Sequence, residues 1–360
     1  QATMCVLLFM GLSVNYRDGA DIAVRIGQHP AEAKNLTVVL KGLGFNGSPF
    51  GAAVCEGQSI QGRGVGAIDM LAAVKERVGK LGMKRSPQLF SDDELRRAVK
   101  HILDHELPDT FIDYEEPDSF WSRRWLWCVN GGHSKRVGRV HKKWGLDIEG
   151  QVHRRVAVEN WELNPLKQWD GDVYVSASSK LEPGKTRLLL ATDTVSYVCF
   201  EHLLRPVEKA WRNRRTLLDP GSSGNLGIVE RLRKLKGSIN VMLDYDAFNE
   251  SHTLRAQQIV IEETIKKTGY DGFLGQRLVD SFDKMTAYVG DQPAGRISST
   301  LMSGHRGTTF LNSILNSAYI FAAAPEIYDK FTSLHTGDDV VARFASYSDI
   351  DTLLSNLAAR

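Results

Sequence analysis

Apolar residues recur along this chain with two periods, and the period changes where the element changes. From Ser91 to Pro108, Leu95, Val99, Ile102 and Leu103 are spaced three and four apart, which predicts a helix. Ser91 can cap its start, Glu94 completes a capping box, and the acids Asp92 to Glu94 suit the positive end of the helix. A second helix is predicted after Gly304. There Thr308, Asn312 and Asn316 fall at i, i+4 and i+8 on one face, while Leu311, Ile314, Leu315, Ala318 and Tyr319 form most of the core side. A polar stripe on a mostly buried helix requires partners. Four segments read as strands: Leu36 to Leu40, the β-rich run that begins at Ile239 and delivers Asp244 at the strand's end, Leu334 to Thr336 and Val340 to Phe344. The last two are joined through Gly337-Asp338, a hairpin turn signal.

The hairpin would project two adjacent carboxylates, Asp338 and Asp339, from a rigid strand pair. Anions forced together repel, and a divalent cation is the usual remedy. Acidic turns are also common on surfaces, so the tripeptide alone does not decide. Upstream, the Ile239 run delivers Asp244 at its end. Asp246 lies two residues beyond and would share its side only if the strand continued regularly. Between the carboxylate segments runs Ser303-Gly304-His305-Arg306-Gly307-Thr308, a glycine-containing loop that opens the apolar helix. Ahead of them all lies a basic turn, Lys180-Leu181-Glu182-Pro183-Gly184-Lys185-Thr186-Arg187.

At 360 residues the chain can bury a sizeable core, as one large or two smaller domains. Cys5, Cys55, Cys128 and Cys199 lie far apart with no CxxC pair, which reads as reduced core thiols in an intracellular setting. No apolar run reaches the roughly 18 residues of a membrane span, and Met4 to Met10 is too short and lacks the basic flank of a signal peptide. The net charge of +2 hides an uneven distribution. Residues 92–118 carry ten acids against three Lys/Arg, residues 123–155 carry nine Lys/Arg against two acids, and residues 180–236 carry twelve against six. A basic middle beside an acidic end suits a protein that binds a polyanion and handles it with metals; the plainer reading is that each run solvates a helix face.

Two segments are ambiguous. Gly42-Leu43-Gly44-Phe45-Asn46-Gly47 is a literal GxGxxG after the Leu36 run, but Pro49 and Gly51 are expected to break the helix a dinucleotide site needs. Phe120 to Ser134, with Trp121, Trp125 and Trp127 beside Arg123 and Arg124, suits base stacking with phosphate neutralisation, or equally a buried tryptophan cluster.

The order of elements is cationic turn, carboxylate strand, Ser-Gly loop with helix, and double-carboxylate hairpin. It resembles the fingers and palm of viral RNA-dependent RNA polymerases, and its details look most like those of totivirus-like double-stranded RNA viruses. The resemblance is specific over residues 180–344. It implies an α/β (α+β) right-hand fold, with helical fingers over residues 1–236 and a partial palm with an antiparallel sheet over 237–360. The chain reads as a piece of a longer protein, with the thumb absent. The implied activity is template-directed RNA synthesis by a two-metal mechanism.

In this resemblance Asp244, Asp338 and Asp339 are the catalytic metal-binding carboxylates, served by Mg2+ with Mn2+ as the alternative. Asn249, five residues after Asp244, and Asn312 reach the ribose, with Thr308 on the same helix face, and Ser303-Gly304 flex beneath the template-primer pair, all within the nucleotide-binding set. Lys180, Lys185 and Arg187 meet the triphosphate. The implied partners are RNA template and product, ribonucleoside triphosphates and a viral capsid protein, with no membrane. The implied location is the host cytoplasm, inside a viral particle. Reverse transcriptases usually carry an aromatic at the position of Asn249; Phe248 here is one residue early, which disfavours that reading. A non-catalytic RNA-binding module with structural carboxylates is the rival from another class.

Overall fold

The computed structural model describes residues 16–56, 67–85, 89–109, 112–133, 152–182, 185–219, 221 and 224–360. The chain divides into two compact units, one of residues 1–73 with 178–189 and one of residues 74–177 with 190–360.

In the first unit, helices span Tyr16–Gln28, Pro30–Gly42 and Pro49–Glu56. The second overturns the strand expected over Leu36 to Leu40. Pro30 occupies its first turn, where a missing N–H costs nothing. Good helix formers follow, and they outweigh the β-branched Thr37-Val38-Val39. Pro49 likewise opens a helix where a break was expected, again as a first-turn residue. The GxGxxG segment is thus preceded by a helix and not by the strand a dinucleotide site needs. The loop glycines Gly57, Gly62, Gly64 and Gly66 lie outside the described residues, as do Cys5 and the Met4 run.

The second unit is a mixture of helices with mainly antiparallel sheets. Helix α1 (Asp92–Glu106) begins at the Ser91 cap, and both halves of the capping box are made. It packs on α2 (Leu254–Thr268) and α3 (Thr308–Ala323), and these two also touch each other. Leu95, Val99, Ile102 and Leu103 of α1, Ile259 and Val260 of α2, and Leu311, Ile314 and Leu315 of α3 are all buried. Each such side chain contributes about 1.5–3 kcal/mol on burial. Arg96 bridges α1 to Glu263 at 2.7 Å and also to Glu262, while Arg255 of α2 reaches back to Asp92 at 2.7 Å.

Strands β1 (Gly132–His133) and β2 (Val152–His153) form a short antiparallel pair. A four-stranded sheet follows in the order β4-β3-β6-β7, from β3 (Val173–Glu182), β4 (Lys185–Thr192), β6 (Met285–Val289) and β7 (Gln292–Arg296). Its β3–β6 pairing is parallel and its β6–β7 pairing antiparallel. The third sheet runs β5-β9-β8, all antiparallel, from β5 (Ile239–Leu243), β8 (Thr332–Thr336) and β9 (Asp339–Phe344). Along β9, Val340, Ala342 and Phe344 are buried, as the two-residue period requires. Helix α3 lies against β8.

Of the three tryptophans in the aromatic stretch, Trp121 and Trp127 are core residues and Trp125 is 41% exposed. Arg124 sits 4.7 Å over the Trp121 ring, so its charge is stacked on the cluster. Cys55, Cys128 and Cys199 are buried free thiols. No described helix is long and apolar enough to cross a membrane.

Candidate active site

Strand β9 is the centre of the site because it pairs on both sides. Thr336 opposes Asp339 across the hairpin, and Leu243 opposes Val340 on the other edge. Continuing that register by one residue sets Asp244 opposite Asp339, about 5 Å apart at Cα. Gly337 takes φ +59 at the first turn position, a conformation that suits glycine. The three carboxylates are exposed at this end of the sheet. Partial burial raises the pKa of Asp339 above the usual carboxylate range, and the charges of Asp338 and Asp244 push it further. Asp246 follows after β5 has ended, in a turn, so the regular alternation that would align it with Asp244 is lost.

This donor set has the chemistry of a divalent-cation site: three hard oxygen donors whose mutual repulsion a cation would relieve. Among the described residues no group of three or more His, Cys, Asp and Glu is arranged to hold an ion by itself. Oxygens from a bound substrate would have to complete the coordination, as magnesium commonly requires.

Helix α3 holds the hairpin from beneath. The Ser313 hydroxyl accepts from the Gly337 N–H at 2.8 Å, and the Asn316 amide donates to the Gly337 carbonyl at 3.0 Å. Asn316 Oδ1 accepts from His335 Nδ1 at 3.1 Å, so the other ring nitrogen, Nε2, accepts from the Ser333 hydroxyl at 2.8 Å. Arg215 donates twice to that hydroxyl, at 2.8 and 3.2 Å. Behind it, the wholly buried Glu106 accepts the backbone N–H groups of Arg214, Arg215 and Thr216 at 2.7, 2.7 and 2.8 Å. Burial, helped by the Arg215 charge, pulls His335 down to about 3, so it is neutral at physiological pH.

The same helix face carries the second constellation. Asn312 Nδ2 donates to Asn249 Oδ1 at 2.7 Å, joining the two asparagines that the sequence singles out. Asn249 sits in the short helix Phe248–Ser251, entered through Ala247 at φ +51. Its carbonyl accepts from the Leu301 N–H at 2.8 Å and the Thr300 hydroxyl at 3.1 Å, with Thr300 itself at φ +78. Two non-glycine residues in the left-handed region thus flank this side chain, each costing of order 1–3 kcal/mol.

Ser303 and Gly304 are tied to the end of β4: the Ser303 hydroxyl accepts from the Leu190 N–H at 3.2 Å, and Gly304 N donates to the Leu190 carbonyl at 2.8 Å. A Cβ on Gly304 would meet Ala191 Cα at 2.8 Å, so only glycine fits. Thr308 turns its hydroxyl back into this loop, where its one proton faces the carbonyls of Met302 and His305, both at 2.8 Å. Arg306 anchors the loop through a two-pronged pair with Glu208, at 2.9 and 2.6 Å, and a contact with Glu201.

The viral RNA-directed RNA polymerase family model matches residues 3–359. The chain belongs to that family. It is 42% identical over 331 residues to a probable RNA-directed RNA polymerase of Leishmania RNA virus 1 - 1, covering 90% of this chain and 37% of that protein. It is 37% identical over 369 residues to the probable RNA-directed RNA polymerase of Helminthosporium victoriae virus-190S, covering 98% and 42%. A more distant relative, the probable RNA-directed RNA polymerase of Saccharomyces cerevisiae virus L-A, is 25% identical over 301 residues. The chain spans about two fifths of the length of the first two. The resemblance to totivirus-like polymerases read from the motifs is borne out.

The basic turn of this polymerase-family chain is the β3–β4 hairpin, in the first unit for residues 178–189. Lys180 and Arg187 both pair with Glu182, each at 2.9 Å. The Lys185 side chain and the Pro183-Gly184 tip lie outside the described residues. Part of the basic block 180–236 gathers elsewhere, in a groove of about 770 Å³ by the start of β8. Arg214, Arg231, Lys234 and Lys236 line it together with Glu230 and Asp329.

Sequence reasoning missed the residues behind the site: His252, Tyr319, His335, Arg215 and Glu106. One available signal was the demand of Asn312 and Asn316 for partners. Another was Tyr319, three residues beyond Asn316 on the same face and read only as core.

Proposed function

We propose that this chain carries the nucleotidyl-transfer centre of an RNA-directed RNA polymerase, extending RNA on an RNA template from ribonucleoside triphosphates. The observation that carries this reading lies in helix α3. Asn312 and Asn316, one turn and about 6 Å apart, tie the asparagine pair and the carboxylate hairpin to one rigid element. A centre of this kind must hold a sugar and a reacting phosphate in fixed relation, and rigid elements do that better than loops.

In this reading Asp244 and Asp338 hold magnesium, with manganese as the alternative, and Asp339 serves as a secondary ligand or orienter. A pair of such ions would activate the 3′-hydroxyl and neutralise the leaving pyrophosphate. Asn249 and Asn312 bind the ribose. The Ser303-Gly304 loop, braced by Thr308 and Arg306, lies beneath the template-primer pair. Lys180, Lys185 and Arg187 meet the triphosphate, which would replace Glu182 as the partner of Lys180 and Arg187. The finer architecture, a right hand with fingers over 1–236 and palm over 237–360, is supported by the catalytic sheet lying wholly within 239–344. The relatives are named as polymerases of viruses, and on that basis we place the protein in the host cytoplasm; its place inside a viral particle with a capsid protein is part of the same proposal.

The test is incorporation of labelled ribonucleotides by the complete protein on a defined RNA template, with magnesium and with chelator. Incorporation that follows the template and stops with chelator is expected. Template-independent or chelator-resistant incorporation, or RNA binding with no synthesis, would overturn the reading.

A further inference from the structure

An asparagine amide offers a donor at one end and an acceptor at the other, so its recognition chemistry depends on which way round it is held. Asn249 is held through three further side chains. Asn312 Nδ2 donates to Asn249 Oδ1 at 2.7 Å, which leaves Asn312 Oδ1 to accept. It lies 2.8 Å from His252 Nε2, so Nε2 carries the imidazole proton. His252 is wholly buried, and burial pulls it down to about 4, so the ring is neutral and Nδ1 is an acceptor. That nitrogen lies 3.0 Å from the Tyr319 hydroxyl, which donates to it. The tyrosine ring is stacked on Phe90 at 5.6 Å and the imidazole stands edge-on to Phe248 at 4.5 Å, so neither ring can turn freely.

The donors therefore point one way from end to end: Tyr319 O–H to His252 Nδ1, His252 Nε2–H to Asn312 Oδ1, Asn312 Nδ2–H to Asn249 Oδ1. What remains at the end is the Asn249 NH2 group. We propose that His252 and Tyr319 are positioning residues for sugar selection, fixing the amides so that Asn249 presents a donor to the 2′ oxygen of the incoming ribonucleotide. The proposal rests on the ribose-recognition reading above and goes beyond it by naming the polarity of the contact and the residues that set it. A 2′-deoxynucleotide has no oxygen there, so a donor fixed in that direction goes unpaired, which is how a polar site rejects the analogue lacking its partner. If the chain of amides could reverse, the site would lose that fixed donor.

The experiment compares kcat/KM for ribo- and deoxyribonucleoside triphosphates in the complete protein carrying His252→Leu, His252→Gln, Tyr319→Phe or Asn249→Ala. A purely structural role would slow both substrates alike and leave their ratio unchanged. The proposal expects the ratio to fall about tenfold in His252→Leu and severalfold in Tyr319→Phe. His252→Gln, which can still donate to Asn312, should restore most of it. A 2′-fluoro substrate, which can accept weakly but cannot donate, should outperform the 2′-deoxy substrate in the parent and lose that advantage in His252→Leu. A parental ratio in His252→Leu would overturn the proposal, or in Tyr319→Phe if the leucine variant does not fold. Should Asn249→Ala itself keep the parental ratio, the ribose reading fails. Loss of the ratio in Asn249→Ala but not in the His252 and Tyr319 variants would sink the relay alone.

Discussion

The side chain of Asn316 donates to the carbonyl oxygen of Gly337 at 3.0 Å, so the turn that bears Asp338 and Asp339 is hung on a helix from an earlier part of the chain. Its Oδ1 accepts a hydrogen bond from His335 Nδ1 at 3.1 Å. Asn316→Ala would leave the buried His335 N–H and the half-buried Gly337 carbonyl unpaired, at about 1–3 kcal/mol for the buried group. A shift of the hairpin by about 1 Å can cost a hundredfold in rate. The expected result is a fall in kcat of tenfold or more with little change in KM for the nucleotide. A kcat equal to that of the parent would show that the hairpin holds itself.

Glu106 is a second point of support, and its effect should be on stability before rate. Its two oxygens accept three backbone N–H groups from Arg214 to Thr216 with no exposure to water. Glu106→Ala strands all three, and the expected loss is several kcal/mol, seen as a lowered Tm and denaturant midpoint. Glu106→Gln keeps one acceptor and should fall between. A Tm within a degree or two of the parent in the alanine variant would remove Glu106 from the account.

Acid should unfold the second unit early. Burial pulls His133 and His252 down to about 4 and His305 and His335 down to about 3. In the unfolded chain each titrates near 6.5. Between those values the unfolded state binds the protons and the folded state does not. The stabilisation is therefore complete above about 6.5 and is lost as pH falls toward 4 and 3, at up to about 1.4 kcal/mol per pH unit for each ring. Denaturant unfolding at a series of pH values should show this slope beginning below 6.5. A flat profile from 6.5 to 5 would contradict it.

What could be read from the sequence was local. The Ser91 capping box, the Gly337 turn, the end of β5 at Asp244 and the stripe of Thr308, Asn312 and Asn316 each depend on neighbours within a turn or a strand. The structure joins Asn249 to Asn312 by a hydrogen bond, across 63 residues of chain. The segment at Leu36, expected as a strand, is helical because the helix start at Pro30 overrides its β-branched side chains. His252 and Glu106 were invisible for a different reason. Their partners lie 60 and about 110 residues away, and a hydrogen bond across that distance leaves no periodic trace. A lone buried histidine has the same appearance in sequence whether it fills space or orients an amide.

The most direct test of the central claim is single-turnover nucleotide incorporation by the complete protein with Asp244→Asn or Asp338→Asn, with RNA affinity measured in parallel. Each change removes a carboxylate proposed to hold a metal; such a ligand is worth several kcal/mol to the transition state, and about 4 kcal/mol is roughly a thousandfold. The account predicts losses of that order in both, a smaller loss in Asp339→Asn, and RNA binding close to that of the parent in all three. Near-parental incorporation by Asp244→Asn or Asp338→Asn would contradict it.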